Sequence, residues 1–169
     1  MEDGFKLEQV AIRLVPEAAV WDTDPIRSPE RAVEVLGKYI RDMDREAVCV
    51  VNFNARLQPI NFQIVSIRTL DQALCEPREL LKAGILSNAN SMMILHNHPA
   101  GSITPSGSDV QMMERMEKVC DLVGIPLMDS IIIGFGREDY FSFRDASMLV
   151  EQNQQSDRAA EERSGRGGR

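Results

Sequence analysis

The chain has 169 residues, of which 43% are apolar and 27% are charged, and it carries a formal net charge of −7 at pH 7. This length and balance are typical of one globular domain with a sizeable core. No apolar run approaches the roughly 20 residues that span a bilayer, and the acidic start Met1–Gly4 lacks the apolar stretch of a secretory signal. Net acidity disfavours a nucleic-acid-binding surface, which needs clustered Lys and Arg. We therefore expect a cytoplasmic protein without a membrane or nucleic-acid partner.

The three cysteines, Cys49, Cys75 and Cys120, are an odd number and lack the paired CxxC spacing of a structural zinc site. Cys49 lies in an apolar strand-like run, and Cys120 lies on the apolar side of a predicted helix. We expect buried, reduced thiols rather than a disulfide.

In the first half of the chain, strand signals flank one helix. Leu7–Val15 is predicted as an edge strand. Ser28 precedes a helix over Pro29–Asp44, because Pro suits the first turn and apolar residues follow at helical spacing. Ala47–Phe53 is a predicted buried strand, and Leu57–Ile67 is its hairpin partner.

In the second half, helices and strands alternate. The predicted helices are Pro77–Leu86 and Ser106–Gly124, and the predicted strands are Ser91–His98, Ile125–Gly134 and Tyr140–Phe143. The order of these elements predicts an α/β fold with a single mixed sheet and flanking helices.

Three segments are expected along the chain. Residues 1–27 form an N-terminal strand and connector, 28–149 form the folded domain, and 150–169 form a disordered tail. From Glu151 onward the only apolar residues are two alanines, so this segment cannot offset the entropy lost on ordering.

His96 and His98 are the only histidines, and Asp109 follows eleven positions after the second. If the apolar strand before them continues through both, residues two apart point to the same face, so the two imidazoles lie side by side. Two imidazoles and one carboxylate are a common ligand set for catalytic zinc, which keeps a fourth position for water. The alternative is a polar strand end whose histidines are satisfied by hydrogen bonds.

Ser106 and Asp109 also have two compatible interpretations. Ser-x-x-Asp at a helix start is typical of a capping box, and an acid in the first turn favours the helix dipole. A first-turn carboxylate is rigidly placed, so Asp109 could also bind a metal. Ser106 would then stand close enough to donate a hydrogen bond to a developing oxyanion.

Hydrolysis at zinc also needs a group that takes a proton from water and passes it to the leaving nitrogen. Glu46 stands immediately before the Ala47–Phe53 strand and is a candidate. Its local sequence does not distinguish it from a surface acid, since Asp42 and Asp44 lie beside it.

The motif positions together resemble a known family signature. Glu before a strand, His-x-His, seven residues of which the first is Pro, Ser, two residues and Asp is similar to the JAMM signature of JAB/MPN metalloproteases. The RadC-like JAB branch is the one resembled, over about 28–149, through these segments: Arg68-Thr-Leu-Asp-Gln-Ala-Leu, Pro77-Arg-Glu, His96-Asn-His-Pro-Ala-Gly, Thr104-Pro-Ser and Leu127-Met-Asp-Ser-Ile-Ile-Ile-Gly.

The resemblance implies a JAB/MPN (cytidine-deaminase-like) architecture and one role for each site residue. His96, His98 and Asp109 are implied to be zinc ligands, Glu46 the general acid/base, and Ser106 the oxyanion helper.

Two positions depart from the family pattern, since Ala100 stands where Ser is usual and Arg68 where Gly is usual. Neither is a catalytic position in the family. We also expect no helix-hairpin-helix module of the kind that precedes the domain in full-length RadC proteins, which removes the main family-based reason to expect DNA binding.

The function expected is that of a zinc-dependent hydrolase that cleaves an amide bond with a zinc-activated water, on a peptide or an isopeptide-linked protein. The alternatives are a non-catalytic MPN-type interaction module and a DNA-processing accessory protein of the RadC type. Pairing of two Leu7–Val15 edges offers a route to a homodimer.

Overall fold

The computed structural model describes residues 11–17, 24–67, 75–136 and 138–149. Three helices and five strands lie in this part of the chain. The helices are α1 (Pro29–Leu36), α2 (Pro77–Leu86) and α3 (Gly107–Val123), and a 3-10 turn over Gly37–Tyr39 follows α1. The strands are β1 (Ala47–Phe53), β2 (Pro59–Ile67), β3 (Ser91–His98), β4 (Leu127–Gly134) and β5 (Tyr140–Ser142).

The strands form one mixed sheet in the order β2-β1-β3-β4-β5. β3 is central, antiparallel to β1 and parallel to β4, while the β1–β2 and β4–β5 pairs are antiparallel. Two parallel neighbours need a crossover connection. Helix α3 provides it, running back from the end of β3 to the start of β4.

Each face of the sheet buries its own core. On one face, Leu80 and Leu81 of α2 and the apolar side of α3 pack on Val48, Val50 and Ile94. On the other face, α1 packs through Ala32, Val33 and Leu36. Residues of β3 therefore alternate between the α3 side and the α1 side, as expected for a strand buried on both faces.

Most predicted elements are confirmed, with ends that differ by a few residues. β1, α2 and β3 have the predicted bounds, and Ser28 caps α1 by accepting a hydrogen bond from the Arg31 amide at 3.3 Å. α3 begins after Ser106 and ends at Gly124, whose φ of 76° is the left-handed conformation that glycine adopts readily. The α/β class with one mixed sheet is confirmed.

Two predictions of extent are wrong. The first helix ends at Leu36, well before Asp44, because the apolar spacing continues through a 3-10 turn and an irregular segment. The predicted Leu7–Val15 strand lies partly outside the described residues, and its described part carries no strand and is exposed throughout.

The predicted tail at 150–169 lies outside the described residues, as does the Arg68 motif. Cys49 and Cys120 are buried, as predicted, and Cys75 is partly buried. Of the helices in the described ranges, none has the length and apolar character needed to cross a bilayer.

Candidate metal centre

The two histidines lie at the C-terminal end of the central strand. His96 pairs with Val48 of β1 and Ile132 of β4, and His98 pairs with Gly134. Strand alternation puts both imidazoles on the face that α3 covers, as predicted from their spacing. His96 is buried and His98 is half-buried, so the His98 ring remains partly accessible at this end of the strand.

Asp109 is brought to the same point by the first turn of α3. Ser106 is the N-cap residue, and the capping box is confirmed: the Asp109 amide donates to Ser106 Oγ at 3.2 Å, and the Ser106 amide donates to Asp109 Oδ2 at 2.7 Å. Ser106 Oγ also donates to Asp109 Oδ2 at 2.6 Å. These contacts hold the carboxylate in one orientation, facing the histidines.

The three side chains converge at distances that suit a tetrahedral cation. The two Nε2 atoms of His96 and His98 are 3.2 Å apart, and each lies 3.4 Å from a different carboxylate oxygen of Asp109. Zinc with ligand distances of about 2.0–2.1 Å and tetrahedral angles separates neighbouring ligand atoms by about 3.3–3.4 Å. The ligand set predicted from the sequence is therefore brought together, and one atom from each residue could bind a metal ion.

The second ring nitrogen of His98 is also engaged. His98 Nδ1 donates to the Ser102 carbonyl oxygen at 2.7 Å, because a carbonyl can only accept. With its proton on Nδ1, a neutral His98 presents a lone pair on Nε2 towards the Asp109 carboxylate. Two such electron-rich groups lie this close only with a proton or a metal cation between them, and ligating histidines commonly bind a carbonyl in this way.

His96 differs from its neighbour in this respect. Its Nδ1 is buried and has no hydrogen-bond partner among the described residues. The described contacts of His96 are therefore made by Nε2, which faces Asp109 Oδ1 at 3.4 Å.

The electrostatics of the centre follow from these contacts. The hydrogen bond to Asp109 raises the pKa of His98, burial opposes this rise, and the charge of Glu46 adds to it. Burial alone would raise the pKa of Asp109, but hydrogen bonds from the two imidazoles and from Ser106 outweigh it and hold that pKa well below its usual range. The carboxylate of Asp109 is thus held in its ionised form.

Glu46 comes directly before β1, the strand next to β3, and lies at the end of the sheet where His98 is. β1 and β3 pair with Val48 opposite His96, and continuing this antiparallel register by two residues puts Glu46 opposite His98. Alternation from Val48 places Glu46 on the α3 face as well. Glu46 is half-buried, and its charge acts on His98, so it is a neighbour of the metal centre.

Two contributors to the site could not be anticipated from the chemistry of the motif. The Ser102 carbonyl is a backbone group with no sequence signal. The second contributor is Asn97, which lies between the histidines and points to the other face of the strand. Its sequence signal is its place on a buried strand, where a polar side chain must find hydrogen-bond partners.

A second buried carboxylate, that of Asp129 in β4, belongs to a separate hydrogen-bond network. Asp129 accepts hydrogen bonds from Ser142 Oγ at 2.6 Å and from the Ser130 and Arg144 amides at 2.8 and 3.1 Å. Burial raises its pKa. These bonds join β4 to β5 and the turn after it, so Asp129 has a structural role.

The fold and the site together define an α/β domain that holds two histidines and one aspartate at the end of its central strand. Residues 26–148 match the RadC-like JAB domain, and the chain belongs to this family.

Curated relatives agree with this assignment. A UPF0758 protein of Chlorobaculum parvum is 36% identical over 124 residues, which cover 73% of this chain and 55% of the relative. A UPF0758 protein of Desulforamulus reducens is 38% identical over 109 residues, covering 64% and 48%. A UPF0758 protein of Aquifex aeolicus is 34% identical over 124 residues, covering 73% and 52%. The chain thus spans about half the length of these relatives.

Proposed function

We propose that the chain is a zinc-dependent hydrolase of the metallopeptidase or isopeptidase type. The observation that carries the proposal is the convergence of His96, His98 and Asp109 at tetrahedral spacing, with Glu46 beside them. Membership of the JAB domain family supports it. The matched relatives are named only UPF0758 proteins, so the activity is proposed on the site.

Each residue has a defined part in this proposal. The imidazoles would hold zinc through Nε2, and Asp109 would hold it through a carboxylate oxygen. When bound, zinc polarises the scissile carbonyl and lowers the pKa of water to about 7. Glu46 accepts the proton of the attacking water and passes it to the nitrogen of the leaving amine.

Ser106 is proposed to donate its hydroxyl to the oxygen on which negative charge develops. In the structure this hydroxyl donates to Asp109 Oδ2, so the proposed role requires it to turn towards the substrate. The substrate class proposed is a peptide or an isopeptide-linked protein in the cytoplasm, bound where the His98 ring, 13% exposed, reaches solvent.

Elemental analysis of freshly purified protein tests the metal, with His98→Ala as the control. We expect about one zinc per wild-type chain and little in the variant, because three protein ligands are the usual minimum of a catalytic site. A screen of peptide and isopeptide substrates then tests hydrolysis, with Glu46→Gln as an inactive variant that retains zinc.

The outcomes separate this proposal from its alternatives. Zinc without cleavage of any substrate would favour an interaction module. Retention on DNA at about 150 mM salt would favour a DNA-processing accessory protein, since non-specific phosphate contacts weaken steeply with salt. Absence of zinc from the folded wild-type protein would contradict the hydrolase proposal.

A further inference from the structure

We propose that Asn97 is a positioning residue that holds Glu46 against the metal centre. This inference rests on the proposed function, in which Glu46 is the general acid/base. It concerns the face of β3 opposite the imidazoles, which the proposed mechanism does not use.

The side chain of Asn97 is fully buried, with 0% exposure, and all its described contacts go to one short segment. Its Oδ1 accepts a hydrogen bond from the Ala47 amide at 2.6 Å. Its Nδ2 donates to the Arg45 carbonyl at 3.2 Å and to the Met43 carbonyl at 3.4 Å. One amide therefore binds a segment that lies about fifty residues earlier in the chain.

These contacts have a specific relation to Glu46. The Arg45 carbonyl belongs to the peptide unit before the Glu46 Cα, and the Ala47 amide belongs to the unit after it. Because a peptide unit is planar, holding both units fixes the two backbone dihedrals of Glu46 and hence the direction of its Cα–Cβ bond. Asn97 thus sets the direction in which the Glu46 side chain leaves the backbone.

The segment needs such support because it is irregular. Residues 40–46 lie between the 3-10 turn and β1 and belong to no helix or strand. The backbone pairing of β1 with β3 begins only at Val48, opposite His96. Before Val48, the hydrogen bonds of the Asn97 side chain replace the backbone pairing between β1 and β3. They bind the chain at Ala47 and, further back, at Met43.

Asn97 joins the segment that contains Glu46 to the strand that carries the two histidines. Asn97 lies between His96 and His98, whose rings leave β3 on the α3 face while the Asn97 amide leaves it on the α1 face. Glu46 is therefore held to the backbone that carries two of the three ligands. A general base must lie within hydrogen-bond reach of the proton it takes, and a 1 Å displacement can cost about 10²-fold in rate.

Asparagine is the residue type that these contacts require. One oxygen accepts from an amide while the nitrogen of the same group donates to two carbonyls. Aspartate has the same shape but no donor, so it would face the carbonyls of Met43 and Arg45 with a negative charge. Alanine would remove all three hydrogen bonds.

The test measures Asn97→Ala, with Asn52→Ala as the matched control. Asn52 is also a fully buried asparagine of this sheet, but it lies near the opposite end of β1 and binds Asn61 Oδ1 at 2.7 Å. We expect Asn97→Ala to bind one zinc, to keep its KM, and to lose about 10- to 100-fold in kcat. Asn52→Ala removes one hydrogen bond rather than three, so it should lower thermal stability by less, and it should leave kcat within about twofold.

Two further measurements separate positioning from general support of the fold. In Glu46→Gln protein, adding Asn97→Ala should change the residual rate by less than about twofold, since the positioned group is already gone. Hydrogen exchange gives a readout that does not depend on activity. The Ala47 amide should lose protection in Asn97→Ala and keep it in Asn52→Ala, with or without zinc.

If Asn97→Ala does not fold, Asn97→Asp is the second variant, because it keeps the shape of the side chain and the acceptor for the Ala47 amide while it replaces the donors with a carboxylate oxygen. We expect it to bind zinc with a reduced kcat. A kcat equal to wild type in a folded Asn97 variant, or losses that multiply fully with Glu46→Gln, would overturn the inference and leave the proposed function intact. A wild-type protein that cleaves no amide would overturn both.

Discussion

Asp109 and Glu46 reach the same strand end by different structural means. Asp109 is held within its own helical turn by Ser106, three residues before it. The backbone around Glu46 is held by Asn97, about fifty residues after it. The contrast teaches that a carboxylate placed by a local helix cap can be recognised in the sequence, whereas one placed by a distant side-chain amide cannot.

The largest expected effect separates the two carboxylates by role. Glu46→Gln should lower the hydrolysis rate by about 10²–10⁴-fold, the usual contribution of general acid/base catalysis, while zinc stays bound. Asp109→Ala should lose activity together with zinc, because it removes a ligand. Rates measured alongside zinc content test this difference. Loss of zinc from Glu46→Gln would assign Glu46 to the ligand set instead.

The local cap can be tested through Ser106→Ala. This change removes the hydroxyl that donates to Asp109 Oδ2, and loss of such a contact behind a ligand typically lowers metal affinity about 10- to 100-fold. It also removes a helix cap, so the free energy of unfolding should fall by about 1 kcal/mol. Competition with a chromophoric chelator and denaturant unfolding measure the two effects. An unchanged zinc affinity would show that the cap does not orient Asp109.

Zinc affinity should fall as the pH is lowered. The hydrogen bond to Asp109 raises the pKa of His98, so metal-free protein keeps the His98 proton to a higher pH than an ordinary histidine does. Zinc needs the neutral imidazole, so affinity is greatest above this raised pKa and falls about tenfold per pH unit below it. The depressed pKa of Asp109 means that it contributes no proton in this range.

Calorimetry in buffers of different ionisation enthalpy measures the protons released with zinc. About one proton per zinc is expected below the raised pKa of His98. Affinity that does not change with pH would contradict the assignment of His98 as a ligand.

The smallest expected effect comes from a cap away from the site. Ser28 caps α1 as Ser106 caps α3, but α1 lies on the opposite face of the sheet. Ser28→Ala should lower the free energy of unfolding by about 1 kcal/mol, like Ser106→Ala, and leave zinc affinity unchanged. A similar loss of zinc in both variants would mean that overall stability, rather than the orientation of Asp109, limits binding.

The features that could be predicted from the sequence are those fixed by contacts between residues close together in the chain. β1, α2 and β3 were predicted with their observed bounds, because buried apolar runs and a Pro at the helix start are local signals. His96 and His98 were predicted to share a face from strand alternation alone. The length of α1 could not be predicted, since a 3-10 turn and an irregular segment continue the same apolar spacing.

Glu46 marks the limit of this reasoning. Spacing alone could not separate it from Asp42 and Asp44, and only the resemblance to the JAMM signature selected it. The structure adds a physical reason: continued two residues beyond the Val48–His96 pair, the register of β1 against β3 brings Glu46 to His98, whose pKa its charge raises. Such a register arises between segments distant in sequence, and no window of neighbouring residues contains it.

The parallel pairing of β3 with β4 has a consequence for how such a centre arises. After the end of β3 the chain must return to the opposite end of the sheet before it can begin the parallel strand β4. The helix that makes this return, α3, begins next to the C-terminal end of β3. Its first turn therefore lies over the side chains at that strand end, which are the two histidines. The path of the chain thus brings the first turn of α3 to the two imidazoles. The acid of that turn, Asp109, both completes the capping box and faces the two rings.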